Sequence, residues 1–120
     1  MSTSYDPSKS NLSTNTLVDW LRLPISGDLE EVPGISKNNA KILSYGDNEF
    51  NKIKNTFQLI GVCLQLKQTH DNELITCSKH CDLFKQYLTN KGITNSKDTI
   101  VRSIIEKINT MFPGIYDIED

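Results

Sequence analysis

Apolar residues recur at three- and four-residue intervals along most of this chain, and that spacing predicts helices. The cleanest stripe is Ile100, Val101, Ile104, Ile105, Ile108, Met111 and Phe112, on a helix that starts near Asn95 or Ser96 and stops at Pro113. Isoleucine is a middling helix former, but regular spacing over this length outweighs propensity. Between Glu49 and Lys67, the residues Phe50, Ile53, Phe57, Ile60 and Leu64 repeat in the same way. Leu59, Val62, Cys63 and Leu66 widen that stripe until the later turns are apolar nearly all round, which predicts a central helix packed on more than one side. A further helix opens at Ser78 or a neighbour, turns Leu83, Phe84, Tyr87 and Leu88 inward, and closes at Gly92. Gln68 to Ile75 reads as a polar connection.

The first part of the chain carries shorter periods. Thr16 and Asp19 have the spacing of a capping box, opening a helix with Leu17, Trp20 and Leu21 on one side and Pro24 at its end. Asp28 and Glu31 repeat the spacing and open a second short helix with Leu29 and Val32. Pro33-Gly34 breaks it, because the residue before a proline avoids helical dihedrals and glycine tolerates unusual ones. Ser36 is placed to cap a third helix with Ala40 and Leu43 inward, and Tyr45-Gly46-Asp47-Asn48 reads as a stop followed by a turn. No strand-like alternation and no repeat occurs. The expected fold is all-α, a compact bundle of five to six helices. Residues 1–13, rich in Ser, Thr and Asn, are expected as a disordered tail, 14–116 as the helical domain, and 117–120 as an acidic end.

Composition narrows the function. At 120 residues and 37% hydrophobic, one domain with one core is the natural size. The formal net charge is −2, so no global positive field draws the protein onto nucleic acid or an anionic membrane. Any phosphate binding must come from local geometry. The longest apolar run, Leu59 to Leu64, is far below the roughly 20 residues a membrane-spanning helix requires. Three cysteines, Cys63, Cys77 and Cys81, argue against a disulfide framework and for a reducing compartment.

The segment that carries chemistry is Leu29 to Leu43. Two short helices meet there through Pro33-Gly34-Ile35-Ser36, a helix-hairpin-helix pattern. Gly34 lets the chain turn sharply with its backbone uncovered, and Ile35 plugs inward. The free N–H groups at the start of the next helix then point outward with the positive end of its dipole, an arrangement that holds a phosphate oxygen without a basic side chain. Lys37 and Lys41, one turn apart, bracket the same phosphate run.

From about Leu17 onward the chain resembles the barrier-to-autointegration factor family. The residues that carry the likeness are Leu29 to Leu43, the run Phe57-Gln-Leu-Ile60-Gly61-Val-Cys-Leu64-Gln-Leu66-Lys67, the run Asp82-Leu83-Phe84-Lys85-Gln86-Tyr87-Leu88, and Gly92 with the final helix. The resemblance implies a compact helical protomer and a two-fold homodimer. It also implies sequence-independent binding of duplex DNA, with one dimer bridging two duplexes in the nucleus (and a cytoplasmic pool also compatible), alongside nuclear protein partners. Gly34 and Ile35 match the family; Ser36 stands where the family has a second hairpin glycine, and Lys37 and Lys41 agree in character. Family contacts from other helix amino ends carry over to Asn15 and Thr16, and to Ser96 with Lys97. The family's lysine near the first helix is absent, residues 68 to 80 look like an insertion, and Pro113 to Asp120 extends past the family's end.

Other constellations are weaker. Cys77, His80 and Cys81, with His70 nearby, are metal-ligand types, but two fall adjacent and the paired Cys-x-x-Cys knuckle is missing. A Cys/His nucleophile pair lacks an orienting third group, so no enzyme, no metal site and no cofactor is expected. Cys63 reads as a small core residue and Glu30-Glu31 as a solvated face. The competing functional class is a helical protein-interaction module that has lost DNA contact.

Overall fold

The isoleucine stripe becomes the axis around which everything else is packed. In the computed structural model, which describes residues 5–67 and 75–116, five helices succeed one another. They are α1 (Thr14–Arg22), α2 (Lys37–Leu43), α3 (Thr56–Gln65), α4 (Cys77–Lys91) and α5 (Lys97–Met111). Short 3-10 turns lie at Pro7–Lys9, Leu29–Glu31 and Glu49–Asn51. No strand occurs among the described residues, and the all-helical class is as expected. Helix α5 touches α1, α3, α4 and the Pro7–Lys9 turn, so it, rather than α3, is the central helix. Ile100, Val101, Ile104, Ile105 and Ile108 are buried, and they meet Leu43, Leu59, Phe84 and Leu88 in one continuous core. The stripe ends there: Met111 and Phe112 are exposed.

The helix expected from Glu49 to Lys67 is shorter and starts later. Asn55 takes an extended conformation and its side chain accepts from Gln58 N, while Gln58 Oε1 accepts from Lys54 N. That reciprocal cap opens α3 at Thr56. Ile53 is buried from the loop before the helix, and Phe57 falls on the outer side, 58% exposed. Helix α1, by contrast, starts earlier than expected, because its cap is Ser13 rather than Thr16: Ser13 Oγ accepts from Thr16 N.

Residues 5–13 are not a free tail. Tyr5 N donates to Asp82 Oδ1 (2.7 Å), Asp6 N to Asp98 Oδ1 (3.0 Å) and Asn11 N to Thr99 Oγ1 (3.0 Å). These bonds lay the segment along α4 and α5. Tyr5, partly buried against the core, has its hydroxyl pKa pushed up to about 12, mainly by that burial.

Several lysines are consumed inside the molecule. Lys107 is 4% exposed, and its Nζ donates to the carbonyls of Trp20 (2.6 Å), Leu21 (3.3 Å) and Leu23 (2.7 Å). It closes the carboxyl end of α1 and stacks over the Trp20 ring at 4.7 Å. Trp20 Nε1 in turn donates to Ser103 O. Lys67 donates to Ile75 O, Lys91 to the Tyr45 and Asn51 carbonyls, and Lys85 pairs with Asp98 at 3.0 Å. Lys107, Lys67, Lys91 and Lys85 are therefore spent on internal acceptors.

Candidate nucleic-acid interface

The bend between the Leu29–Glu31 turn and α2 is a type II turn, with Pro33 at its second position and Gly34 at its third. Ile35 N donates back to Val32 O (3.0 Å), and Gly34 has φ +96°, a region closed to most side chains. Ile35 plugs inward at 5% exposure, as expected. Gly34 serves a different end from the expected one. A Cβ placed there would lie 2.9 Å from Ile100 Cγ1 and 3.1 Å from both Ile100 N and Thr99 Cβ. Its missing side chain admits the first turn of α5, not a phosphate. The exposed part of the bend lies beyond Ile35, where Ser36, Lys37, Asn38 and Lys41 face solvent. Ser36 Oγ caps α2 by accepting from Asn39 N (3.1 Å), leaving the N–H groups of Lys37 and Asn38 without an intramolecular acceptor among the described residues.

Two further amino ends meet this bend. Thr99, in the first turn of α5, touches Gly34 on one side and accepts from Asn11 N, two residues before the α1 cap, on the other. Ser103 Oγ donates to Pro33 O (3.2 Å), and Thr16 faces Pro33 across a cleft of about 460 Å³. Asn39 Nδ2 donates to Asn95 Oδ1 (3.2 Å), tying α2 to the residue before the α5 cap. Asn15 and Thr16 on α1 and Ser96 before α5 are exposed, and Lys97 is half-buried with Nζ donating to Thr89 Oγ1 (3.0 Å). Thr99, itself buried, thus links the segment leading into α1, the bend and the start of α5. Eight of the nine residues singled out from the sequence belong to the start of α1, the bend or the start of α5, and the ninth, Lys41, lies in the last turn of α2.

Acids lie to either side of this cluster. Asp98 is 12% exposed at its side chain and neutralised by Lys85. Glu31 was expected on a solvated face, but it is partly buried and structural. Its carboxylate accepts from Ser26 N, Gly27 N and Thr56 Oγ1 (2.7 Å). Burial pushes its pKa up, yet those hydrogen bonds outweigh the burial and hold it below the usual carboxylate value. Asp19 stands with Glu31 in the cleft between α1 and Pro33.

The Cys/His constellation resolves into packing. His80 is fully buried; its Nε2 lies 2.6 Å from Cys63 O and its Nδ1 2.7 Å from Tyr116 Oη. A carbonyl only accepts, so Nε2 carries the hydrogen and Tyr116 donates to Nδ1. With both ring nitrogens engaged, His80 has no lone pair left for a metal. Burial chiefly, and Lys67 nearby, lower its pKa against the opposing effect of the Cys63 carbonyl. Cys63 is buried, and burial holds its thiol well above the ordinary range. His70 lies outside the described residues. No described helix is long and apolar enough to cross a membrane.

Residues missed by sequence reasoning are Asn39, Asn95 and Thr99, which hold the three amino ends together. Asn39 at an inward helix position was the one readable signal. No family model, no curated protein and no solved structure matches the chain.

Proposed function

We propose that the protein is a sequence-nonspecific duplex-DNA binder, a distant relative of the barrier-to-autointegration factor family built on a helix-hairpin-helix element. The observation that carries this reading is the convergence of three helix amino ends around Thr99, with Ser36, Lys37, Asn38 and Lys41 exposed beside them. Helix amino ends present N–H donors and a partial positive charge, and phosphate oxygens are their natural ligands. Such contacts fix position on a duplex without reading its sequence. They also suit an acidic protein, since the attraction is local. In this role Ser36, Lys37, Asn38 and Lys41 grip one phosphate run, while Asn15 and Thr16, and Ser96 and Lys97, extend the grip on either side.

The protein acts as a homodimer that bridges or compacts DNA in the nucleus, avidity from two modest sites replacing high affinity at one. Support for a dimer comes from an exposed apolar face of Leu23, Phe57 and Met111 around a shallow cleft of about 560 Å³, with Phe112 also exposed. Gly61 on α3 has open space beside it. Gel shifts with unrelated duplexes test the DNA site. Wild type retards all of them equally, whereas Ser36→Glu and Lys37→Glu/Lys41→Glu lose at least tenfold in affinity. Equal binding by all three proteins removes the hairpin from the DNA surface. Light scattering after size exclusion tests the dimer.

The same apolar face favours one second reading, a protein-interaction module without DNA contact. It predicts complex formation that depends on Phe57 and Met111 together with no retardation of any duplex.

A further inference from the structure

Asn39 occupies a place where packing alone would put leucine. It lies on the inner side of α2 at 1% exposure, one turn before the fully buried Leu43. Both hydrogens of its amide are used, one on Gly34 O and one on Asn95 Oδ1, each at 3.2 Å. Its Oδ1 is buried with no hydrogen-bond partner among the described residues. A buried carbonyl oxygen left unpaired is a standing cost that an apolar side chain of the same size avoids. The residue it holds, Asn95, precedes Ser96, the one non-glycine with positive φ among the described residues (φ 60°, ψ 18°). In that conformation the Ser96 side chain makes no cap, so the leading N–H groups of α5 stay open. A left-handed serine persists only where neighbouring structure holds it.

We infer that Asn39 is a positioning residue for DNA, fastening the hairpin to the start of α5 so that both amino ends meet one duplex as a rigid pair. The inference rests on the DNA-binding reading above and adds to it the device that registers two of its three contacts. Neither Asn39 nor Asn95 touches the phosphates in this role. Asn39 acts through the Gly34 carbonyl and through Asn95, and the strained Ser96 is kept from relaxing into a conformation that would cap α5 with its own hydroxyl.

The test combines Asn39→Leu, Asn95→Ala and the double variant with three readouts: thermal stability, anisotropy with a labelled duplex of arbitrary sequence, and amide exchange over residues 95–99. Asn39→Leu is expected to leave the melting temperature near the wild-type value, because losing the unpaired oxygen offsets the two hydrogen bonds to Gly34 O and Asn95 Oδ1. It is also expected to weaken duplex binding roughly fivefold through lost preorganisation, and to speed exchange at residues 95–99. Asn95→Ala, a change at an exposed position, gives the same loss, and the double variant is no worse than either single one. Lost affinity at unchanged stability is an outcome that a merely structural role does not produce. Wild-type affinity in Asn39→Leu, or losses that add in the double variant, overturn the inference while leaving the DNA reading intact. A wild-type protein that binds no duplex overturns both. If Asn39→Leu fails to fold, Asn95→Ala decides alone: reduced affinity with faster exchange supports the tie, and unchanged affinity refutes it.

Discussion

The two ends of α1 are treated in opposite ways. At its carboxyl end the Trp20, Leu21 and Leu23 carbonyls all converge on the ammonium of Lys107, a cation carried into the protein to meet them. At its amino end, Ser13 caps one N–H, and Thr14, Asn15 and Thr16 next to it are exposed. Lys67, Lys85 and Lys91 are likewise spent on internal carbonyls and a carboxylate. At α1 the negative end is closed from within, whereas its amino end, like that of α2, lies among exposed residues. The proposed phosphate contacts would draw on that contrast in a chain of net charge −2.

Breaking the closed end has the largest expected effect. Lys107→Met keeps the stem over Trp20 but strands three carbonyls, and a loss of roughly 2–4 kcal/mol in urea unfolding is expected for an ion-to-carbonyl network of this kind. A loss below about 0.5 kcal/mol would mean that water replaces the ammonium easily. Next comes the joint of the open face. Gly34→Ala forces a Cβ toward Ile100 at a positive φ, with an expected cost of about 1–3 kcal/mol. The open face itself is sharpened by salt. Lys37 and Lys41 are its exposed cations, with Lys97 half-buried and tied to Thr89 Oγ1, so log K against log salt is expected to fall with a slope of only about −2 per site. A slope near −8 would demand a basic surface that this face lacks.

The smallest effect is on pH dependence. His80 has a folded pKa below the ordinary 6.5, so the unfolded chain binds a proton that the folded state resists. Its contribution to stability is complete above about pH 6.5 and is lost as pH falls toward the folded value. Urea midpoints are expected to drop between about pH 7.5 and about pH 5.5, and His80→Gln should flatten that drop.

Much of the fold was legible because burial and helical period coincide. Trp20, Leu43, Phe84, Leu88 and the α5 isoleucines all lie inside as their spacing required. The failures share a physical cause. Phe50 and Ile53 continued the α3 period by chance, and only the Asn55–Gln58 cap marked the true start. Tyr5, Asp6 and Asn11 dock through backbone N–H groups, which every such sequence carries, so a polar composition said nothing of it. Lys107 interrupts an apolar stripe, and nothing local reveals that three carbonyls from α1 await it. For the site, the bend and its candidate residues were readable from Pro33-Gly34 and the helix starts. Their convergence on Thr99 was not, because it depends on contacts between residues 11, 34 and 99 that no local pattern encodes.

Backbone amide shifts, tracked while an unlabelled duplex of arbitrary sequence is titrated into isotope-labelled protein, test the open-face claim most directly. The largest changes are expected at Thr14 to Thr16, Ser36 to Asn38 and Ser96 to Asp98, in the same order of size for an unrelated second duplex. Changes centred instead on Phe57, Gly61 and Met111, or none at all at saturating DNA, would contradict it.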